Sequence, residues 1–142
     1  MTNFDEYRDV FVVADTIDDV VHPVTYELIG QARRIAKELG QLVQVMLLGE
    51  NVQAEAEELV AHGADIVHVF ESPLLKYYTT DGYTKVLTDF FEDHKPNILL
   101  IGATNNGRDL APRMSGRMQN GVVADCTILT VDTEEGLVEW TR

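Results

Sequence analysis

A glycine-rich segment in the second half of the chain has the residue types and spacing of an anion site. Residues 102–113 read GATNNGRDLAPR, and the two glycines are spaced as in the phosphate loop GxxxxGK[ST]. Arg108 and Asp109 stand where that loop has its lysine and its hydroxyl residue. A triphosphate site needs the lysine for the terminal phosphates and the hydroxyl for magnesium. We therefore expect neither a triphosphate site nor a hydrolase built on one.

Pro112 suggests how this segment folds. Proline lacks an N–H group and clashes with the carbonyl four residues back, so we expect Pro112 in the first turn of a helix that starts near Asp109. Asp109 is then the expected N-cap, and its carboxylate would compete with an anionic ligand. Leu110 and Met114 are expected to be buried, and Asp109 and Arg113 are spaced to form an ion pair.

Helix packing does not explain the residues just before Asp109, which are Asn105, Asn106, Gly107 and Arg108. Asn and Gly tolerate positive φ, so this run predicts a tight turn that presents Arg108 and backbone N–H groups outward. Loops at this end of a parallel sheet often carry function. Two interpretations stay open for these residues: contact with a partner or cofactor, or a plain turn.

Composition and charge exclude several classes of protein. The 142 residues are 45% hydrophobic and 25% charged, which is typical of one folded domain. The formal charge of −13 repels phosphate, so nucleic acid and anionic membranes are excluded as partners, whereas a basic protein surface fits. No apolar stretch approaches the roughly 20 residues of a membrane span. The first nine residues are acidic, unlike a signal peptide, so we expect a cytoplasmic protein.

Cysteine and histidine usage predicts no metal site. Cys126 is the single cysteine, and the sequence contains neither CxxC nor HExxH spacing. The four histidines are scattered, and we expect them at the surface or at helix ends. Asp125 beside Cys126 disfavours a thiolate, so Cys126 is expected to be a small buried residue rather than a nucleophile.

The elements that position the glycine-rich segment alternate regularly. Short apolar runs predict strands at residues 10–13, 44–48, 66–70 and 97–103. Helices are predicted between them: one from Pro23 to Gly40, one from an Asn51 cap to Gly63, and one that follows a loop at 72–81 and stops at Pro96. Residues 15–21 are predicted as an acidic loop. This alternation predicts an α/β fold, a three-layer doubly wound and mostly parallel sheet.

Spacings of three and four predict which helical residues face inward. They are Val24, Leu28, Ala32, Ile35, Leu39, Val52, Ala56, Leu59, Val60, Tyr83, Val86, Leu87, Phe90 and Phe91. Gly30 is predicted to allow close approach of a neighbouring backbone. Tyr77 and Tyr78 are either interface anchors or rings packed over the sheet end.

The last part of the chain differs from the rest. Residues 127–132 and 137–140 are strand-like and are joined by Thr-Glu-Glu-Gly, which predicts an antiparallel hairpin at one sheet edge. The sequence ends directly after a strand, so we expect it to be a piece of something longer.

Three blocks of sequence carry a family resemblance. Residues 102–113 match a GAT-x-x-GRDLAPR block, residues 124–127 match an ADCT segment, and residues 22–33 (HPVTYELIGQAR) are similar to an NPVT-x-ELLGAAR helix. The blocks lie in register along nearly the whole chain. With them the chain resembles the amino-terminal domain of the alpha subunit of electron transfer flavoprotein.

The resemblance implies a sheet of the adenine nucleotide alpha hydrolase-like and universal stress protein type. It also implies pairing with a beta subunit and electron transfer between dehydrogenases, such as acyl-CoA dehydrogenase, or NADH and an acceptor. The FAD of the full complex would be held by a second alpha-subunit domain outside these residues, so no flavin is expected on this domain alone. A second FAD, or AMP, would be on the partner subunit. The candidate cofactor-facing residues are then Thr104, Asn105, Asn106, Gly107 and Arg108.

Two functions follow as hypotheses. The first is a docking domain of a heterodimeric flavoprotein electron carrier, with no catalytic activity of its own. The alternative is a free-standing nucleotide-binding module of the universal stress protein type, which would bind AMP or ATP at the strand ends.

Overall fold

The chain forms one central sheet with helices on both faces. The computed structural model describes residues 9–94, 98–102, 104–118, 127–132 and 136–141. In these ranges the strands are β1 Val10–Val13, β2 Thr16–Ile17, β3 Val20–Val21, β4 Val43–Gly49, β5 Ile66–Glu71, β6 Ile98–Gly102, β7 Thr127–Asp132 and β8 Gly136–Thr141. The helices there are α1 Val24–Leu39, α2 Gln53–Ala61, α3 Thr80–Asp93 and α4 Asn105–Met118, with a short 3₁₀ helix at Pro73–Leu75. None of the helices described is both long enough and apolar enough to cross a membrane.

The main sheet has the strand order β5-β4-β1-β6-β7-β8. All neighbouring strands pair in parallel except β7 and β8, which form an antiparallel hairpin. The predicted fold class, a mostly parallel doubly wound sheet with an antiparallel hairpin at its end, is therefore confirmed. β1 lies between β4 and β6, and its four residues are all buried apolar side chains, as expected of a strand covered on both faces.

Each face of the sheet buries its own set of side chains, because successive residues of β1 point in opposite directions. Val10 and Val12 pack with α1 and α2 in an aliphatic cluster. Phe11 and Val13 pack with α3 and α4 in a cluster that is richer in aromatic rings. The ring of Phe11 lies 5.4 Å from that of Phe91, edge to face. The two clusters make the fold a three-layer sandwich.

Helical spacing predicted most of the inward faces correctly. The predicted residues that are buried are Val24, Leu28, Ala32, Val52, Leu59, Tyr83, Leu87 and Phe91. Leu39 and Val60 are 45% and 53% exposed, because each lies in the last turn of its helix, where the chain leaves the sheet for a loop. Gly40 ends α1 with φ of 67°, as predicted. The prediction for Gly30 is wrong, since no atom of a neighbouring element lies within 4 Å of a Cβ added there.

The predicted acidic loop at residues 15–21 is instead a small hairpin of β2 and β3. Its two-residue turn is Asp18-Asp19, with φ of 51° and 63°. Positive φ at both positions is typical of the type I′ turn, which matches the twist of the flanking strands, and Asp tolerates this conformation. The hairpin points Ile17 and Val20 outward, with 59% and 62% of each side chain exposed.

Candidate functional site

The candidate site lies at the carboxyl ends of the parallel strands. The hairpin follows β1, residues 50–52 follow β4, the 3₁₀ helix follows β5, and α4 follows β6. These connections lie at one edge of the sheet because the strands are parallel. In open α/β sheets this is the edge at which ligands bind, so its residues decide what the domain can hold.

The helix α4 begins at Asn105, four residues earlier than predicted. Its cap is Thr104 rather than Asp109. The Thr104 hydroxyl oxygen accepts a hydrogen bond from the Gly107 N–H at 3.1 Å, and the Thr104 carbonyl accepts one from the Arg108 N–H at 2.8 Å. The predicted positive-φ turn is therefore wrong, and this run is the first turn of a helix.

Pro112 lies inside α4 and not in its first turn. An interior proline costs a helix about 3 kcal/mol, because it removes one hydrogen bond and clashes with a carbonyl. Burial of Leu110, Ala111 and Met114 against the aromatic cluster offsets that cost. The predicted start failed because tertiary packing, which the local proline rule ignores, stabilises most helices in proteins.

Gly107 is required by close contact with the end of β6. A Cβ added to Gly107 would overlap the carbonyl oxygen of Gly102, and it would lie 3.2 Å from the Ile101 side chain. The first turn of α4 therefore packs directly on the strand, and this glycine serves close approach rather than positive φ.

The five predicted cofactor-facing residues are not equivalent in the structure. Thr104 is half-buried and caps α4, and Gly107 is buried against β6. Asn106 is half-buried and lines a small cavity. Asn105 and Arg108 are exposed on the surface of the first helical turn. Of the five, Asn105 and Arg108 are therefore the residues whose side chains are most accessible to a binding partner.

Asp15 connects three elements at this edge. Its N–H donates to the Thr25 hydroxyl of α1 at 3.0 Å, and its carboxylate accepts a hydrogen bond from the Thr104 hydroxyl. Asp15 lies two residues after β1, so the end of β1, the start of α1 and the start of α4 are held together.

The prediction of an Asn51 cap for α2 is wrong, because Val52 occupies the cap position and no side chain makes a cap bond. Carboxylates from elsewhere in the chain instead bond the segment just before the helix. The Asp19 carboxylate accepts from the N–H of Glu50 at 2.8 Å and from that of Asn51 at 3.2 Å. The Glu71 carboxylate accepts from the Val52 N–H at 2.9 Å, and this bond is the main reason that the pKa of Glu71 is lowered. Three N–H groups of the segment that leads into α2 are thus bonded to carboxylates, and the charge of these carboxylates opposes an anion at this helix start.

Asp109 joins α4 to the first residue of α3 and to the segment just before that helix. Its carboxylate accepts hydrogen bonds from the Thr80 hydroxyl and, at 2.7 Å, from the Tyr78 hydroxyl, and these two bonds lower the pKa of Asp109. Burial, followed by the bond to Asp109, raises the pKa of Tyr78. Arg113 forms its ion pair with Asp81, at 2.5 Å, in place of the predicted pair with Asp109.

The 3₁₀ helix presents apolar side chains on a fixed backbone. Leu75 is buried, and its carbonyl accepts a hydrogen bond from the Tyr83 hydroxyl at 2.7 Å. Leu74 and Tyr77, on either side, are 84% and 64% exposed. The Tyr78 ring is half-buried and lies 5.0 Å from the Tyr83 ring. Tyr78 therefore packs over the sheet end, and Tyr77 stays a candidate interface anchor.

Sequence reasoning missed most of an exposed apolar surface at this edge. We call it the apolar patch, and it consists of Ile17, Val20, Leu74 and Tyr77. Lys76 joins its two halves, since its ammonium lies 3.7 Å from the Asp18 carboxylate in the hairpin and 3.8 Å from that of Glu50. The signal in the sequence was Thr-Ile-Asp-Asp-Val-Val, a two-residue Asp turn between β-branched residues.

One cavity at this edge is too small for a flavin or an adenine nucleotide. Val13, Thr16, Tyr83, Asn106 and other residues line a cavity of about 20 Å³. That space is roughly one water molecule, whereas small-molecule sites span about 300–1,000 Å³. Thr104 caps the start of α4, and the carboxylates of Asp19 and Glu71 lie just before α2, where their charge opposes a phosphate.

Other reactive groups form no second centre in the described part. Within it, no group of three or more His, Cys, Asp and Glu side chains is placed to hold a metal ion. His22, His62 and His94 are exposed next to helix ends, as predicted. His68 differs, because it lies half-buried in β5, where burial lowers its pKa. Asp125 and Cys126 lie outside the described residues.

Comparisons with known proteins agree with the sheet and with the sequence blocks. The family model described as "Electron transfer flavoprotein domain" matches residues 10–142. The "Electron transfer flavoprotein subunit alpha" of Megasphaera elsdenii is 44% identical over 137 residues, which are 96% of this chain and 40% of that protein. The "Lactate dehydrogenase (NAD(+),ferredoxin) subunit LctC" of Acetobacterium woodii is 45% identical over 133 residues, 94% of this chain and 32% of that protein. The chain thus spans about a third to two fifths of these relatives.

Two further proteins extend the comparison. The "Acryloyl-CoA reductase electron transfer subunit beta" of Anaerotignum propionicum is 43% identical over 130 residues, 92% of this chain and 35% of that protein. The solved universal stress protein from Archaeoglobus fulgidus, in complex with dAMP, superimposes with a TM-score of 0.50 at 16% identity, covering 84% of this chain and 97% of that one. This second likeness concerns the fold alone.

Proposed function

This chain belongs to the electron transfer flavoprotein family and corresponds to the amino-terminal domain of its alpha subunits, and from that premise we propose that it docks a beta-type partner subunit. In the assembled heterodimer it would position flavins carried elsewhere: FAD on a further alpha-subunit domain, and a second FAD or AMP on the partner. Electrons would pass between a dehydrogenase or NADH and an acceptor, in the cytoplasm, and this domain would perform no catalysis of its own.

The observation that carries the proposal is the contrast at the carboxyl edge between polar groups that are hydrogen-bonded within the chain and apolar groups that are exposed. Backbone N–H groups just before α2 are bonded to the carboxylates of Asp19 and Glu71, and the Gly107 N–H of α4 is bonded to Thr104. The apolar patch remains exposed beside them. An exposed apolar cluster rimmed by polar residues is typical of a protein–protein interface.

The patch is preorganised, which favours a docking role. The hairpin is fixed from below by the buried Thr16 hydroxyl, which donates to the Leu48 carbonyl at 2.9 Å, and by the Asp19 bonds to the start of α2. A surface that is rigid before contact loses less entropy on binding. Asp18 and Glu50 place carboxylates around the patch, so a partner with an apolar centre and a basic rim would fit.

Asn105 and Arg108 extend the same proposal toward the partner's cofactor. Both side chains are exposed on the first turn of α4, at the same edge as the patch. We place them at the part of the docking face nearest the partner-bound flavin, with Thr104, Asn106 and Gly107 supporting the backbone beneath them.

The nucleotide-binding alternative finds less support at this edge. The carboxylates and the small cavity at the carboxyl edge oppose a bound AMP or ATP. The likeness to the universal stress protein concerns only the fold. Calorimetric titration of the protein with ATP decides this point, because binding that Asp15→Ala or Asn106→Ala abolishes would restore the alternative.

The docking proposal is tested with single substitutions in the patch. Leu74→Asp and Val20→Asp place a charge where an apolar contact is expected, and each should weaken binding of a beta-type subunit by about tenfold or more. Leu42→Asp is the matched control, because Leu42 is 46% exposed at the opposite edge, and it should change the Kd less than about twofold. The Kd is measured by calorimetry, with far-UV circular dichroism to confirm folding.

Two outcomes would contradict the proposal. Wild-type affinity in both patch variants would show that the interface lies elsewhere on the domain. A purified protein that carries flavin absorbance and shows no affinity for a beta-type subunit would overturn the docking role itself.

A further inference from the structure

A second surface, at the amino ends of the strands, has the dimensions of a ligand site. It is a groove between the carboxyl-terminal halves of α1 and α2 and the starts of β4 and β5, with a volume of about 600 Å³. Small-molecule sites typically span about 300–1,000 Å³. The groove lies at the opposite end of the sheet from the apolar patch and takes no part in the proposed docking.

Three basic side chains line this groove: Arg33, Arg34 and Lys37. In the described part of the chain none of the three has a carboxylate within 4.0 Å, and none of their side chains makes a hydrogen bond there. Lys85, by contrast, pairs with Asp89 at 3.0 Å. The chain has 24 acidic and 11 basic residues, so three neighbouring cations that lack an acidic partner among the described residues call for an explanation.

The helix dipole accounts for only part of this cluster. Lys37 lies in the last turn of α1, where a cation is stabilised by the negative end of the helix. Arg33 lies before the last turn of α1, whereas the stabilisation of a cation by the helix dipole is confined to the last turn.

Arg33 is held at the groove wall by the loop that follows α2. Gly63 has φ of 118°, and a Cβ added there would overlap the Arg33 side chain. The absence of a side chain at Gly63 lets the guanidinium group lie against the backbone. Its N–H donors are thus placed at the wall with no acceptor among the described residues.

The rest of the lining favours an anion with an organic part. Asp65 is the one acidic residue of the lining, and its carboxylate accepts a hydrogen bond from the Val43 N–H at 2.9 Å. Three cations against one bonded carboxylate leave the groove positive. Ala36, Val60 and Ala64 supply an apolar wall. The distant carboxylates oppose an anion weakly, since screening reduces their effect beyond about 8 Å at physiological ionic strength.

We propose that this groove binds a phosphorylated organic anion of about mononucleotide size. The guanidinium groups of Arg33 and Arg34 bind the phosphoryl oxygens, for which the planar fork of arginine is well suited. Lys37 adds a point charge, and the apolar wall receives the organic part.

The proposal is tested by titrating the protein with ADP and with inorganic pyrophosphate in a calorimeter. ADP should bind more tightly than pyrophosphate, because only ADP also contacts the apolar wall. Arg33→Ala should weaken ADP binding by about tenfold or more, the usual effect of losing a charged hydrogen-bond donor. Lys85→Ala is the matched control: it removes one exposed helical cation from another surface, and it should change the Kd less than about twofold.

Three results would overturn the assignment. The first is no binding of either ligand at millimolar concentration, in a protein whose circular dichroism shows it to be folded. The second is an equal loss in Arg33→Ala and Lys85→Ala, which would mean diffuse charge attraction without a site. The third is pyrophosphate binding as tight as ADP binding, which would show that the groove does not recognise the organic part of the ligand.

Discussion

The two ends of the sheet differ in how their polar groups are satisfied. At the carboxyl end, Asp19 bonds N–H groups just before α2, Thr104 bonds an N–H group in the first turn of α4, and one cavity has a volume of about 20 Å³. At the amino end, a groove of about 600 Å³ is lined by cations that have no carboxylate within 4.0 Å in the described part. The carboxyl end is where this class of fold usually binds ligands. We therefore expect local charge and bonding, and not position in the fold alone, to decide where an anion binds.

The comparison also separates two kinds of recognition. The carboxyl end offers apolar side chains on a rigid, acidic background, which suits a protein partner. The amino end offers charge and a concave wall, which suits a small anion. One domain can serve both, because the sheet keeps the two surfaces apart.

The largest expected effect comes from breaking the closure of the carboxyl end at Gly107. Gly107→Ala would force a Cβ into the Gly102 carbonyl oxygen. Both of the groups involved are fixed to the backbone, so we expect a loss of about 3 kcal/mol in the free energy of unfolding, the upper end of the range for overpacking. Urea denaturation measures it.

Gly30→Ala is the matched control for that substitution. Gly30 is exposed in α1, and no atom of a neighbouring element lies near its added Cβ, so this variant should gain about 0.5–1 kcal/mol from helix propensity. If the two variants had similar stability, close packing of α4 on β6 would not be what closes this end.

A smaller loss is expected from the cap of α4. Thr104→Ala removes the acceptor of the Gly107 N–H and the donor to Asp15, and it should lower the free energy of unfolding by about 1–2 kcal/mol. Thr104→Ser keeps the hydroxyl and should retain most of the stability. An unchanged urea midpoint in Thr104→Ala would show that the cap contributes nothing.

The smallest effect concerns the acid limb of stability. Glu71 has a pKa below its ordinary 4.5 in the folded protein, so its contribution is present above about pH 4.5 and is lost as the pH falls through the lowered folded value. Glu71→Gln removes this dependence, and its stability should fall less steeply below pH 4.5 than that of the wild type. If urea titrations at several pH values showed the same loss of stability below pH 4.5 in both proteins, the Glu71 carboxylate would contribute nothing to stability.

Elements that depend on local composition were predictable from the sequence. Residues 10–13 form a continuous apolar run, and that run is β1, buried on both faces. Gly40 lies after the last periodic residue of α1 and ends the helix with positive φ. The hairpin of residues 127–132 and 136–141 was predicted from a turn-type sequence that lies between two β-type runs.

Features that depend on distant contacts were not predictable in the same way. The carboxylates that bond the segment before α2 belong to Asp19 and Glu71, each far from the helix start in the sequence, whereas the rule for caps considers only the adjacent residue. For α4, Thr104 is itself a suitable N-cap type, but the expected helix start rested on Pro112 and did not take Thr104 into account. The family blocks identified residues 104–108 without indicating that they form a helical turn.

The contact between Asp15 and Thr104 has a consequence for how the chain folds. The two residues are 89 positions apart, and β1 pairs with β6 over a similar separation, Val10 with Ile98. During synthesis β1 can pair with β4 early, but its other side stays open until residues 98–102 have emerged. The centre of this sheet is therefore completed late, and contacts of such long range are typical of slow folding. A chain released before that point would expose an unpaired apolar strand, a template for aggregation.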